Sequence, residues 1–179
     1  IDYLKAKQYF ERSMELYNSF AFLEMGNLYF HGHGVEKDYK KAIVYYKKSK
    51  TSYGLCLIGL VYTQGTEKNY KKAKKYYEKA SLLSNSAALN NLGLLYDGGL
   101  GVKQDYLKAK EFFEKSAELN NSSGLNNLGV LYSKGQGVEK DYIKAKKYFE
   151  ESSSLGNSFA FANLGDLYYH GLGVEQNYT

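Results

Sequence analysis

Proline and tryptophan are absent from these 179 residues, and cysteine and arginine occur once each, as Cys56 and Arg12. A lone cysteine excludes a disulfide framework within the chain. No apolar run approaches the roughly 18 residues of a membrane span, which excludes a transmembrane helix. No leader is readable: the chain opens on Ile1-Asp2-Tyr3-Leu4-Lys5, already inside a repeating phrase, and stops at Asn177-Tyr178-Thr179 as that phrase begins again. Such ends are those of a fragment, so further repeats or domains are expected in the parent chain. The compartment stays open, with a tilt toward the cytoplasm. The formal net charge of +5 is carried by lysine. Abundant lysine, asparagine and tyrosine without proline or tryptophan fits an AT-rich coding sequence, so the lysines carry little functional weight.

What is present is periodic. The phrase Asp/Asn-Tyr-x-Lys-Ala starts at Asp2, Asp38, Asn69, Asp105, Asp141 and, truncated, at Asn177. The interval is 36 residues except for 31 between Asp38 and Asn69. That second repeat lacks three residues between Ser49 and Gly54 and the Gly-Val pair after Gly65. A fixed period of this length marks a linear array of small units rather than one globule. The expected organisation is a single array over 1–179, with an outer helix at 1–17. Repeats follow at about 18–52, 53–84, 85–120 and 121–156, then a partial repeat at 157–179.

Each repeat reads as two helices. Asp105 is an N-cap whose carboxylate can accept from orphan amide N–H groups. Tyr106, Ala109, Phe113 and Ala117 follow at spacings of three and four, an apolar helical stripe. Glu111 stands four before Lys115 on the polar face. Asn18-Ser19, Asn85-Ser86, Asn121-Ser122 and Asn157-Ser158 break this helix and cap the next. The second helix carries Leu89, Leu92, Gly93 and Tyr96 on one stripe. A glycine inside a helix costs about 1 kcal/mol relative to alanine. Its recurrence at Gly26, Gly59, Gly93, Gly129 and Gly165 therefore predicts close approach of a neighbouring helix, with the small Ala6, Ala42, Ala73, Ala109 and Ala145 opposite. About ten helices and no strands are expected.

Residues 88–109, Ala-Leu-Asn-Asn-Leu-Gly-Leu-Leu-Tyr-Asp-Gly-Gly-Leu-Gly-Val-Lys-Gln-Asp-Tyr-Leu-Lys-Ala, closely resemble the Sel-1-like repeat, a cousin of the tetratricopeptide repeat. The period of 36 and the Gly-x-Gly-Val loop favour it over the 34-residue tetratricopeptide unit. The resemblance covers essentially the whole chain. It implies an all-α, right-handed α/α superhelical solenoid whose Gly-x-x-Tyr helix lines the concave face. It also implies a non-catalytic scaffold or adaptor that binds a protein or an extended peptide, without a cofactor. The alternative is a structural element embedded permanently in a larger complex through its ends and outer face. Cysteine-rich relatives linked to β-lactam binding carry paired cysteines, which this chain lacks.

Recurring residues hold a stack together; variable ones are free for partners. On the glycine helix the variable stripe lies six and three before the glycine and one and four after it, all on one face. It comprises Phe20, Leu23, Asn27 and Phe30; Tyr53, Cys56, Leu60 and Thr63; Ala87, Asn90, Leu94 and Asp97. Ser123, Asn126, Val130 and Ser133, then Phe159, Ala162, Asp166 and Tyr169, complete it, flanked by Asn91, Asn127 and Asn163. The predicted groove is aromatic and apolar at its ends, amide-lined in the middle, and free of lysine and arginine. Amides both donate and accept, which suits the backbone of an extended peptide. The end aromatics suit packing against flanking repeats equally well.

Other motifs point elsewhere less well. His31 and His33 find no third ligand in reach, where zinc wants three or four, so no metal is expected. The Gly-x-Gly loops follow a helix, whereas a dinucleotide fingerprint follows a strand, so these are turn glycines. Val35, Val102, Val138 and Val174 are expected to tuck each loop onto the stack. Cys56 has no arranged base and reads as a small apolar residue. The lysine face lacks arginine forks and is diluted by Glu78, Glu111 and Glu114, which disfavours nucleic acid. Sequons at Asn120-Asn121-Ser122-Ser123 and Asn177-Tyr178-Thr179 arise readily by chance in an asparagine-rich chain.

Overall fold

The computed structural model describes residues 1–174, and among them are ten α-helices and no strand. Five follow an Asp/Asn-Tyr phrase: α1 (Tyr3–Glu15), α3 (Tyr39–Ser49), α5 (Tyr70–Ser81), α7 (Tyr106–Glu118) and α9 (Tyr142–Ser154). Five carry the mid-helix glycine: α2 (Ser19–His31), α4 (Ser52–Gln64), α6 (Ser86–Asp97), α8 (Ser122–Lys134) and α10 (Ser158–His170). The chain divides into two compact units, Ile1–Asn85 with α1–α5 and Ser86–Thr179 with α6–α10. The truncated phrase and sequon at Asn177 lie outside the described residues.

Each Asp-Tyr helix starts where its cap says it should. The side chains of Asp2, Asp38, Asn69, Asp105 and Asp141 accept from the amide three residues on, at 2.9–3.0 Å. Losing such a cap costs about 1 kcal/mol. On the polar face the anticipated Glu111–Lys115 pair closes at 2.8 Å, and Lys7–Glu11 and Lys110–Glu114 repeat the motif. These exposed pairs each contribute only about 0.3–0.5 kcal/mol.

A glycine helix and the Asp-Tyr helix after it form a hairpin, and its loop shows why the Gly-x-Gly spelling recurs. Gly32 ends α2 with φ +78° and Gly34 follows with φ +68°. A Cβ at Gly34 would lie 2.6 Å from the Cβ of Tyr3, and one at Gly137 would meet Tyr106 at the same distance. The shortened loop after α4 lacks this geometry: Gly65 has an ordinary φ of −66°. Of the loop valines, Val138 packs against the core of Tyr132, Ala145, Phe149, Ala160 and Leu167.

Four of the five mid-helix glycines are explained by close approach, but not by the partner expected, and Gly165 meets nothing among the described residues. A Cβ on Gly26, Gly59, Gly93 or Gly129 would lie 2.4 Å from the ring of Tyr46, Tyr77, Phe113 or Phe149 respectively. An aromatic ring of the following Asp-Tyr helix fills the notch, not the facing alanine. Ala42, Ala73, Ala109 and Ala145 are fully buried one turn earlier on the same helices. Their small size lets the helix axis come near; the large residue four positions on uses the room.

The tyrosine that ends each glycine stripe is also engaged. Tyr29, Tyr62, Tyr96 and Tyr132 stack on Tyr45, Tyr76, Phe112 and Tyr148, with ring centroids 5.5–5.8 Å apart. Over each lies a lysine from the capping phrase: Lys41, Lys72, Lys108 and Lys144, at 5.2, 5.4, 5.4 and 4.3 Å. Cation–π attraction of this kind contributes about 0.5–1 kcal/mol at an exposed site. Part of the lysine surplus is thus structural, a role that composition alone did not reveal.

Candidate functional site

The variable stripe is not uniformly open. In the first unit Phe20 and Tyr53 are exposed, while Leu60 and Thr63 are half-buried. Leu23 and Phe30, expected on the groove, instead join the core with Ala42, Tyr46, Ile58 and Val61. Three before the glycine the residue is buried in α2, α4, α6 and α8 alike; four after it only Phe30 is buried, its ring meeting Tyr39 edge-on at 5.5 Å. Cys56, at the same offset as Leu23, is buried. Asn27 is half-buried and accepts from the Tyr46 hydroxyl at 2.8 Å, while its own amide donates to Glu24 at 3.3 Å.

In the second unit the asparagines bond to one another. Asn127 Nδ2 donates to Asn90 Oδ1 at 2.8 Å, and Asn163 Nδ2 donates to Asn126 Oδ1 at 2.9 Å. The ladder ties α6 to α8 and α8 to α10. Asn90 and Asn126 are buried by it; Asn91, Asn127 and Asn163 are half-buried. Asn90 and Asn126 therefore serve the stack before any ligand, a correction to their reading as free groove amides. Both bonds link an asparagine three before one glycine to an asparagine two before the next. That signal was present in the sequence as Asn-Asn at 90–91 and 126–127.

Leu94, Ser123, Phe159, Ala162, Asp166 and Tyr169 remain exposed, and Ala87, Asp97, Val130 and Ser133 are half-buried. Between α8, α9 and α10 lies an open pocket of about 380 Å³, bordered by Val130, Ser133, Lys134, Asn163, Asp166 and His170. Lys134 corrects the expectation of a groove without cations. It stands five after Gly129, one position past the stripe, where spacing did not look. Its charge also reaches Asp97: burial pushes the Asp97 carboxyl above its usual range and Lys134 pulls it partly back. Asp97 is the last residue of α6, where the negative end of the helix dipole further disfavours a carboxylate.

The histidines are occupied by neighbours. His33 stacks on Tyr3 at 4.6 Å and on His31 at 5.2 Å. His170 Nδ1 lies 2.9 Å from the Asp166 carbonyl oxygen. Among the described residues no three His, Cys, Asp or Glu side chains cluster as metal ligands, and no helix is long and apolar enough to cross a membrane. Burial pushes the Tyr77 hydroxyl up to about 12, and Tyr46 is shifted the same way for the same reason.

Repeated helical hairpins, glycine notches filled by rings and a phrase period of 36 residues define an all-α repeat protein of the solenoid class. The Sel1 repeat model matches residues 2–18, 22–51, 52–85, 86–121, 122–157 and 159–179, and the chain belongs to the Sel1 repeat family. Sel1 repeats are generally protein-interaction modules. Nothing among curated proteins matches this chain. Among solved structures, it is similar to a protective antigen of uropathogenic Escherichia coli strains with an SLR fold, at 31% identity and TM-score 0.80. That match covers 96% of this chain but only 38% of the E. coli protein. A Sel1 repeat protein from Oxalobacter formigenes is 31% identical with TM-score 0.79, covering 90% of this chain and 68% of that one. Helicobacter pylori cysteine rich protein B is 34% identical with TM-score 0.61, covering 74% of this chain and 99% of its own.

Proposed function

We propose that the chain is a non-catalytic adaptor that holds an extended segment of a protein partner along the exposed stripe of its glycine helices. The observation that carries this is the division of labour on α6, α8 and α10. Buried asparagines lock the spacing of the three helices. Beside them Leu94, Val130 and Asp166 on the stripe, and Lys134 one position past it, take no part in that ladder and border open space or solvent. A rigid wall bearing apolar, acidic, basic and amide groups is suited to reading alternate side chains of an extended peptide. Preorganisation lowers the ordering cost of binding.

The test is selection of peptides from a display library against the chain, followed by affinity measurement. Affinity should fall at least tenfold in a Leu94→Asp/Lys134→Glu/Asp166→Lys variant. It should hold in a Lys71→Glu/Lys75→Glu variant on α5, whose lysines are exposed away from any stripe. Selected peptides that bind both variants as they bind the unaltered chain would refute the proposal.

A further inference from the structure

Lysine is spread along the whole chain, but the acids that neutralise it are not. Helices α3 and α5 carry nine lysines and one acid, Glu78, whereas α7 and α9 carry six lysines and five acids. A bias in coding composition would act on both pairs alike. The difference sits at particular places in the repeat. Nine residues after the cap, Glu11, Glu78, Glu114 and Glu150 each pair with the lysine four before, and α3 has Lys47 there instead. Thirteen after the cap, where α1, α7 and α9 have Glu15, Glu118 and Ser154, α5 is followed by Leu82, which is 84% exposed.

These exchanges share one edge of the first unit. Helix α4 runs back from the end of α3 and α5 returns, so α3 and α5 end on the same side. Tyr76 of α5 packs against the apolar cluster that holds Ala42 and Tyr46 of α3. At that edge Lys47, Lys48, Lys50 and Lys79 are exposed together with Leu82 and Leu83. Lys40, Lys71 and Lys75 continue the exposed basic surface along the two helices. None of these seven lysines pairs with a described acid.

Cations alone would suit any polyanion; the leucines narrow the choice. Large aliphatic side chains standing in water beside lysines gain most from a surface that is anionic and has hydrocarbon just beneath it. Lysine stems can lie over apolar material while their heads stay among polar groups. A nucleic acid would want stacking faces and guanidinium forks. Here Lys48 and Lys79 lie over the Tyr45 and Tyr76 rings at 5.8 and 5.7 Å, and neither helix has an arginine. We propose that this edge of α3 and α5 docks on an anionic lipid bilayer. Leu82 and Leu83 enter the headgroup boundary, and the seven lysines meet the lipid phosphates and carboxylates. No residue of the glycine-helix stripe takes part.

The test is sedimentation with vesicles of phosphatidylcholine, alone or mixed equally with phosphatidylserine. The chain should bind the mixed vesicles, release them as salt rises, and bind pure phosphatidylcholine about tenfold more weakly or less. Lys47→Glu/Lys75→Glu should weaken binding by about tenfold or more. Lys103→Glu/Lys147→Glu, the same charge change at exposed sites of the second unit, should leave it intact. The chain has no tryptophan, so Leu82→Trp supplies a single reporter. Its emission should move to the blue on mixed vesicles and be quenched by brominated lipid. Failure to bind mixed vesicles, equal losses in the two lysine variants, or an indole that stays in water overturns the proposal. Tighter binding to polyglutamate or to single-stranded RNA than to the vesicles overturns it in favour of an acidic protein or a nucleic acid.

Discussion

The two units solve one packing problem with different chemistry. In unit Ile1–Asn85 the rings over Gly26 and Gly59 are Tyr46 and Tyr77, whose buried hydroxyls need partners; Asn27 and Thr63 supply them. In unit Ser86–Thr179 the rings are Phe113 and Phe149, and the position of Asn27 is taken by Leu94 and Val130. Adjacent glycine helices reverse the pattern. Leu23 belongs to, and Leu57 packs against, one apolar cluster in the first unit, at the positions where Asn90 and Asn127 bond in the second. Ser116 and Ser152 of the second unit donate across the hairpin to Ser86 and Ser122 carbonyls at 2.8 and 2.7 Å. The equivalent Ser49 bonds to the Tyr46 carbonyl of its own helix instead, beside the three-residue deletion. What the family scaffold demands is therefore a filled notch and satisfied polar atoms, not particular residues.

The largest effect should come from what the units share. Gly59→Ala and Gly129→Ala both force a methyl into a buried ring. Overpacking less the helix-propensity gain predicts a net loss of about 2 kcal/mol in each. Gly165→Ala meets nothing among the described residues and should gain up to about 1 kcal/mol. Urea denaturation measures all three. A clear difference between the first two would show that the units do not share one notch.

Exchanging the chemistries sharpens the contrast. Asn90→Leu alone strands Asn127 and should cost about 1.5 kcal/mol, whereas Asn90→Leu/Asn127→Leu copies Leu23 and Leu57 and should recover most of it. In the first unit Asn27→Leu should cost about 1 kcal/mol by stranding the Tyr46 hydroxyl, and adding Tyr46→Phe should restore stability. Both are double-mutant cycles read by denaturation. Additive losses would mean that these polar atoms find water rather than each other.

Much of this was legible beforehand. Caps at Asp38 and Asp105, the Gly-x-Gly turns and the two-helix unit follow from local chemistry that the chain repeats. The partner of Gly93 was not legible, because spacing within a helix identifies a face but not which side chain of the next helix will meet it. The stripe failed at Leu23, Phe30, Asn90 and Asn126 for a related reason. Variation between repeats is not freedom: leucine and asparagine vary there because each satisfies the same buried position in its own way. The exposed positions, Leu94 and Asp166 among them, stand one after the glycine, where Asn27 too is only half-buried.

Asp97 gives the smallest effect and ties stability to the candidate site. Its carboxyl is held above its unfolded value, mainly by burial, so the folded chain binds that proton more tightly than the unfolded chain does. The sign follows from linkage. Ionised Asp97 opposes folding at neutral pH, and that penalty is relieved as pH falls through the raised folded value toward the unfolded one. Asp97→Asn should therefore raise the melting temperature slightly at pH 7, with the advantage shrinking toward pH 4. Lys134→Met removes the charge that offsets the burial, so it should lower the melting temperature at pH 7 in the parent and much less in Asp97→Asn. Thermal melts of the four proteins across that range decide it. An Asp97→Asn advantage that grows on acidification would mean that Lys134, rather than burial, governs this carboxylate.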